Sequence, residues 1–328
     1  MIGVEKRKMK KNNSKTLRLI LGDQLNYNHS WFETVDDSVT YVMMEIRTET
    51  DYATHHIQKI VGFFAAMRQF QNWLQLKKHR VIYLKLTDTT NLQSFEKNIE
   101  RIINSENFER FEYQLPDEYR VDLILKNFSA RLLISNTVVD TEHFFSTRNE
   151  LADFFEGKKS FLMESFYRAM RKKHHILMEG NNPITGQWNY DDDNRKKLPK
   201  NHKPTPPLVF NSDVTDIVDE IAQTNIKTIG TIDAENFIWP INREQSLELV
   251  SFFVAECLPL FGSYQDAMAP QEWSIYHSRV SFSLNTKMIS PSEVIDLAMR
   301  FAAINRIEGD YLEFGIFRGD QMVRAWNA

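Results

Sequence analysis

The fold class is decided by the stretch Arg18-Leu19-Ile20-Leu21-Gly22-Asp23-Gln24, in which a short apolar run changes abruptly to polar loop residues. An apolar run of this length that ends at a glycine is typical of a buried strand. Similar runs recur along the first 140 residues, with helical patterns between them. Strands that alternate with helices of this length predict an α/β fold whose parallel sheet is doubly wound.

Four further strands are predicted in this region from runs rich in β-forming residues: Val39–Glu45, Arg80–Leu86, Phe111–Gln114 and Leu132–Ser135. Apolar residues at helical spacing predict the helices Thr54–Lys78 (capped by Thr54), Asn91–Asn104 and Glu118–Phe128. Beyond residue 140 the pattern is helical, at Ser146–Phe155, Phe161–Met178, Val214–Gln223, Arg243–Cys257 and Ser292–Ala303. The order therefore predicts an α/β domain followed by an all-helical region.

The two regions are separated by an irregular segment. Five prolines fall between residues 180 and 210, and proline interrupts both helices and central strands. We therefore divide the chain into a disordered basic tail (1–15), an α/β domain (16–140), connecting helices with a long loop (141–212), a partial helical domain (213–305) and a divergent tail (306–328).

Composition limits the classes of function. The 328 residues are 42% hydrophobic and 26% charged, as in a soluble globular protein. The net charge of −4 argues against a protein that coats nucleic acid, so DNA binding would need a local basic patch. Cys257 is the single cysteine, which excludes an internal disulfide framework and an all-cysteine metal or iron–sulfur site. No segment approaches the roughly 18 apolar residues that span a bilayer, so we expect a cytoplasmic protein without a membrane partner.

One candidate site follows the first two predicted strands. In a doubly wound sheet, ligands bind at the carboxyl ends of the strands, where Asp23, Gln24, Glu45, Glu49 and Tyr52 are expected. The first strand is not followed by a glycine-rich phosphate motif. Carboxylates and an amide suit a ligand with many N–H and O–H donors, such as a heteroaromatic ring that carries a polyol. Helix capping is the alternative role for the two carboxylates at positions 23 and 49. The pair His55-His56 lacks a third ligand, so a metal site is not expected.

A second candidate site lies in Tyr276–Asn285, where Ser278, Arg279 and Ser281 precede or enter a predicted helix. Hydroxyl groups, backbone N–H groups and a guanidinium can together hold a diphosphate. An ordinary polar helix start is the alternative interpretation.

Several of these segments together resemble one known family. They are Leu21–Leu25, Glu45–Tyr52, Phe161–Lys173, Tyr276–Asn285 and the loop Gly180–Pro199 with its Trp-Asn-Tyr core. In this order they resemble the deoxyribodipyrimidine photolyase-related proteins, also called iron–sulfur bacterial cryptochromes and photolyases.

The resemblance implies cofactors that composition alone does not indicate. It implies a ribityllumazine antenna in the α/β domain, with Asp23 and Glu49 on the positions expected to bind it. It also implies that Ser278, Arg279 and Ser281 grip the phosphates of FAD. The family further implies an iron–sulfur cluster, whose four cysteines are absent here. The implied activity is light-dependent repair of damaged DNA, of the (6-4) photoproduct type, or blue-light photoreception.

The resemblance extends from about Leu17 to Asn305, whereas family members continue further. We therefore expect a partial flavin site, little stoichiometric flavin, no repair by this chain alone, and self-association through an uncovered helical face between Arg243 and Ala303. The stretch Glu308–Gly319 resembles the first strand and glycine turn of S-adenosylmethionine-dependent methyltransferases. An antenna-binding fragment without photochemistry and a truncated methyltransferase fusion are the alternative functions.

Overall fold

The structure is a computed structural model that describes residues 14–184, 186–188 and 196–304. Most of the basic tail and all of the methyltransferase-like stretch lie outside these described residues. The expectations for those two segments therefore remain predictions.

A parallel five-stranded sheet forms the centre of the N-terminal half. The described strands, in chain order, are β1 (Thr16–Leu19), β2 (Val39–Met44), β3 (His55–His56), β4 (Arg80–Leu84), β5 (Arg110–Gln114), β6 (Ser135–Val139), β7 (Met178–Glu179), β8 (Asn182–Pro183) and β9 (Thr228–Ile229). The central sheet has the order β4-β2-β1-β5-β6, and every neighbouring pair in it is parallel. The chain proceeds to one side of β1 and then to the other, which confirms the doubly wound α/β fold.

Helices cover both faces of this sheet and make up most of the second half. They are α1 (Ile57–Leu76), α2 (Phe95–Glu106), α3 (Tyr119–Ser129), α4 (Glu150–Phe155), α5 (Met163–His174), α6 (Thr215–Gln223), α7 (Arg243–Phe252), α8 (Leu258–Tyr264), α9 (Ser281–Asn285) and α10 (Pro291–Ile304). Helices α1 and α6 share one apolar core with the sheet, while α2 and α3 pack on its other face. A π-helical turn, Phe253–Cys257, joins α7 to α8.

Two local predictions are wrong. The last strand of the sheet is Ser135–Val139 and not Leu132–Ser135, because residues 130–132 form the turn that ends α3. This edge strand is polar and mostly exposed, so its sequence lacks the apolar pattern of the buried strands. The cap of α1 is His56, whose Nδ1 accepts from the backbone N–H of Gln58 at 3.2 Å, and not Thr54. His55 and His56 form β3, which pairs with β9.

The helical region has an apolar core built from α7, α8, α10 and the π-helical turn. Among the described residues, the continuous helical stretch Arg243–Tyr264 is long and apolar enough to cross a membrane, with a mean hydropathy of 1.4. The expectation that no segment reaches this limit is therefore wrong for this stretch. Buried residues such as Leu249, Phe253 and Phe261 face this core, as they would in the central helix of a helical domain.

Glu45, at the end of β2, is fully buried and anchors α1 and α6 to the sheet. Its carboxylate receives two hydrogen bonds from Arg68 on α1, at 2.8 and 2.9 Å, and one from the Tyr83 hydroxyl at 2.7 Å. Arg68 also pairs with Asp216 and Glu220 on α6. The carboxylate is thus neutralised and satisfied without an external ligand.

We expect Arg68→Met to lower the free energy of unfolding by about 3–5 kcal/mol, because it leaves Glu45 buried without a counter-charge. Urea unfolding followed by circular dichroism measures this loss. Asp216→Asn is the control, since the Asp216 side chain is 64% exposed and its pair should contribute less than about 1 kcal/mol. Equal losses in the two variants would contradict the role assigned to Glu45.

Candidate functional site

A cavity of about 220 Å³ opens at the carboxyl ends of β1, β2 and β5. This is the switch point of the sheet, because the chain leaves β1 on one side and returns on the other. Polar or charged side chains from the loops after all three strands line it: Asp23 after β1, Glu49, Thr50 and Tyr52 after β2, and Glu118 after β5. The sequence prediction of a ligand site at this sheet edge therefore coincides with a cavity.

Most of the remaining wall of the cavity is apolar and aromatic, although His55 and Lys59 also line it. Phe63, Phe64 and Met67 contribute from α1, and Phe95 contributes from α2. Gly22 keeps this wall open, since a Cβ at that position would lie 3.0 Å from the Met67 sulfur and 3.3 Å from the Phe63 ring. A flat apolar ring suits such walls, while the carboxylates at the edge suit its polar substituents.

Asp23 lines the cavity, and its ion pair with Lys287 is a long one. Its carboxylate is 3.8 Å from the ammonium of Lys287, and about 30% of its side chain stays exposed. Burial raises the pKa of Asp23, and the nearby Asp117 and Glu49 raise it further, while Lys287 opposes them. Asp23 is therefore a hydrogen-bond acceptor that a ligand can still reach.

Glu49 is held by Arg120, a residue from the start of α3. Two hydrogen bonds of 3.0 and 2.8 Å join the guanidinium to the Glu49 carboxylate, and two more join it to Glu118. The guanidinium also lies over the Tyr52 ring, 4.4 Å from its centroid. The hydrogen bonds with Glu49 raise the pKa of Arg120, followed by those with Glu118. This group fixes Glu49 and Tyr52 at the cavity edge.

The other two predicted residues lie outside the cavity. Gln24 is buried and ties the end of β1 to β5, because its amide accepts from the Leu21 N–H and donates to the Gln114 carbonyl. Glu45 is committed to Arg68, as described above. The structure thus brings Asp23, Glu49 and Tyr52 together and gives Gln24 and Glu45 structural roles.

Sequence reasoning missed the contribution of the loop after β5. The run Pro116-Asp117-Glu118, followed by Arg120, is polar and directly follows a predicted strand. Asp23 and Glu49 were predicted because ligands bind at the carboxyl ends of the strands in such a sheet. The same rule applies to this run. It was overlooked because only the sheet order places β5 beside β1.

The second candidate site contains a half-buried cation, Arg279, for which the described residues show no ion pair. Arg279 donates from Nη2 to the Leu208 carbonyl at 2.7 Å, whereas its Nε and Nη1 have no partner there. The guanidinium lies between the rings of Trp239 and Trp273, at 5.3 and 4.7 Å from their centroids. Burial lowers the pKa of Arg279. Unsatisfied N–H groups on a buried guanidinium fit an anionic ligand.

The serines beside Arg279 differ in how far they are buried. Ser278 is half-buried next to it, whereas Ser281 is exposed at the start of α9. Ser283, two residues after Ser281, has a buried hydroxyl without a partner among the described residues. Tyr276 and Arg279 both have positive φ, at 54° and 55°, a conformation that costs energy for residues other than glycine. This strained turn is consistent with a binding function.

The basic helix α5 is largely engaged in internal contacts. Arg171 is buried and donates to the carbonyls of Ile176 and Leu177. Arg168 pairs with Glu164, and Lys173 pairs with Glu150. Arg168, Arg171 and Lys172 also lie 5.1–5.6 Å from the centroid of Trp188 in the connecting loop. Within the described residues, α5 therefore serves first to hold this loop.

The described residues contain no group of three or more His, Cys, Asp or Glu side chains that could hold a metal ion. Cys257 is buried in the helical core. A single thiol cannot supply the ligands of an iron–sulfur cluster. Burial raises the pKa of this thiol to about 11.

Because the thiolate is the reactive form, we expect native Cys257 to react with a disulfide reagent at pH 8 about 100-fold more slowly than the same thiol in denaturant. The rate is measured by release of thionitrobenzoate with and without urea. Similar rates in the folded and unfolded protein would contradict the buried position of Cys257.

Comparison with known proteins shows which family this chain resembles. Residues 18–237 match the family model described as deoxyribodipyrimidine photo-lyase-related protein. This match begins within β1 and spans the rest of the central sheet, the residues that line the cavity and α6.

Individual relatives agree with that match. The chain is 32% identical over 301 residues to a (6-4) photolyase from Agrobacterium fabrum, which covers 89% of this chain and 59% of that protein. It is 27% identical over 194 residues to the uncharacterized protein R852 of Acanthamoeba polyphaga mimivirus, covering 56% of this chain and 96% of that one. A crystal structure of a bacterial class III photolyase from Agrobacterium tumefaciens superposes with a TM-score of 0.57 at 12% identity, covering 95% of this chain and 57% of that one.

Proposed function

The chain belongs to the deoxyribodipyrimidine photolyase-related family, and from this premise we propose that it binds a ribityllumazine antenna in the cavity of its α/β domain. The observation that carries this proposal is the convergence of Asp23 and Glu49 on one cavity at the switch point of the sheet. Both are acceptors, and the ring N–H and ribityl hydroxyls of a lumazine are donors.

The apolar wall of the cavity also supports this proposal. Phe63, Phe64 and Met67 offer an apolar surface against which a bicyclic ring can lie. Glu49 is oriented by Arg120, and Tyr52 by the same guanidinium, so these two groups need little rearrangement when a ligand binds. Asp23, whose side chain is 30% exposed, is the second acceptor that a ligand can reach.

The helical region is proposed to hold the diphosphate of FAD through Ser278, Arg279 and Ser281. Arg279 supports this assignment because two of its N–H groups are buried without partners among the described residues. A bound flavin, when reduced, supplies the electron for light-dependent repair. The contribution of Arg279 is to neutralise phosphate charge, and that of the serines is to donate hydrogen bonds to phosphate oxygens.

The activity proposed for the whole protein is light-dependent repair of damaged DNA of the (6-4) type. The support is the relative named as a (6-4) photolyase, of which this chain spans about 59%. An iron–sulfur cluster does not fit the residues present, because the chain has one cysteine. No step of the proposed function therefore depends on a cluster.

We expect Asp23→Asn and Glu49→Gln each to weaken the binding of ribityllumazine at least about tenfold, because each removes a charge-assisted hydrogen bond. Fluorescence titration of purified protein with ribityllumazine measures the affinity. Asp37→Asn is the matched control, since Asp37 lies before β2, at the opposite end of the strand, and its side chain is 93% exposed. Unchanged affinity in both cavity variants, with the fold intact, would remove this site assignment.

For the flavin, we expect the purified chain to hold less than one equivalent of FAD and to bind added FAD weakly. Arg279→Met should weaken the remaining affinity about tenfold, because it removes the half-buried cation that faces the phosphates. Quenching of tryptophan fluorescence is a suitable measurement, since Trp273 lies 4.7 Å from the guanidinium. Equal FAD affinity in Arg279→Met and the unaltered chain would contradict the phosphate role.

A further inference from the structure

Lys287 is a buried lysine that reaches from the helical region into the α/β domain. Its side chain is 2% exposed, and its ammonium lies 2.5 Å from a carboxylate oxygen of Asp117. The same ammonium donates to the backbone carbonyl of Asp23 at 2.7 Å and lies 3.8 Å from the Asp23 carboxylate. A residue that follows α9 in the chain therefore supplies the positive charge closest to the acceptor in the cavity.

The backbone at Lys287 is one that glycine would adopt more easily. Lys287 directly follows the C-cap residue of α9, Thr286, and has a φ of 61°. Helices often end at this position with a glycine, because the left-handed conformation is unfavourable when a Cβ is present. The contacts of the Lys287 side chain with Asp117 and the Asp23 carbonyl can offset this backbone cost.

The segment that carries Lys287 is docked firmly on the α/β domain. The Leu25 N–H donates to the Thr286 carbonyl at 2.9 Å, and Met288 is buried in the core formed with α1. Arg243 on α7 holds the Met288 carbonyl at 2.9 Å. The position of the ammonium consequently depends on how the helical region packs against the sheet.

The charged groups around Asp23 come from several elements. Asp117 and Glu49 are negative, and Glu49 is itself paired with Arg120. Asp117 has a second cation, Arg148, at 3.4 Å. His143 faces Lys287, and burial, followed by the charge of Lys287, lowers the pKa of this imidazole to about 3, so that it is neutral. The ring centroid of Phe144 lies 5.7 Å from the Lys287 ammonium.

We propose that Lys287 is a positioning residue that keeps Asp23 ionised, so that the antenna cavity is complete only when the helical region is docked. This inference rests on the proposed antenna function of the cavity. An ionised Asp23 accepts two or more hydrogen bonds, whereas a protonated one loses acceptor capacity. By thermodynamic linkage, a ligand that requires ionised Asp23 also stabilises the docking of the segment around Lys287. The arrangement would couple occupancy of the antenna site to the packing against the flavin-binding region.

The pH dependence has a defined direction. Burial and the neighbouring carboxylates raise the pKa of Asp23, so ligand affinity should fall as the pH falls through this raised pKa. Lys287 opposes the rise in the pKa of Asp23. Its removal should therefore raise this pKa further, and the loss of ligand affinity should then occur at higher pH. Removal of Asp117 removes one of the groups that raise the pKa, and the loss should then occur at lower pH.

The experiment uses the full chain and titrates ribityllumazine fluorescence across pH for Lys287→Met and Asp117→Asn. Both variants break the same ion pair, yet we expect their pH profiles to move in opposite directions. Lys287→Met should also bind about tenfold more weakly at neutral pH. Arg148→Met is the control, because it removes a cation from Asp117 but leaves Lys287 in place. Profiles that move together, or not at all, would overturn the proposal.

Two further measurements keep the outcomes distinct. If Lys287→Met does not fold, the double variant Asp117→Asn/Lys287→Met removes both partners of their ion pair, and its profile should still move to higher pH, since the ammonium that lies 3.8 Å from the Asp23 carboxylate is gone. Carboxyl ¹³C NMR of aspartate-labelled protein, assigned with Asp23→Asn, follows Asp23 without any ligand. If the unaltered chain fails to bind ribityllumazine, the antenna function fails, while the NMR titration still decides whether Lys287 controls Asp23.

Discussion

Carboxylates gather at the carboxyl edge of the parallel sheet, and each needs a cation that its own strand cannot supply. Arg68 from α1 neutralises Glu45, Arg120 from α3 holds Glu49, and Lys287 from the segment after α9 pairs with Asp117. Unpaired buried charge is costly, so these pairs restrict how each element can dock. Charge pairing at this edge thereby orients the parts that surround the cavity.

Asp23 differs from the other carboxylates because its ion pair, with Lys287, is long. Its nearest cation, Lys287, is committed to Asp117 and stands 3.8 Å from the Asp23 carboxylate. The resulting acceptor is surrounded by apolar and aromatic side chains, where a hydrogen bond from a ligand is strong. Arg279 has the opposite character in the helical region, since it is a half-buried cation for which the described residues show no paired carboxylate. One site therefore suits donor groups and the other suits anions.

The α/β and helical regions are joined by more than the connecting loop. Helix α6 shares the apolar core of α1 and contributes Asp216 and Glu220 to the network around Arg68. Lys287 and its neighbours form a second, separate contact at the cavity. Two attachments on different elements fix the relative orientation of the two regions better than one.

The sequence by itself determined the doubly wound sheet, four of its five strands closely, the residues Asp23, Glu49 and Tyr52 of the cavity, and Arg279. Local sequence patterns suffice for these features, because the spacing and the number of apolar residues indicate which positions are buried. It missed β6, whose polar edge sequence carries no such pattern. Only the tertiary structure separated the ligand-accessible Asp23 from the neutralised Glu45, and only it brought Arg120 and Lys287 to the cavity. Charge partners far apart in the chain meet through packing, and no local pattern encodes which cation reaches which carboxylate.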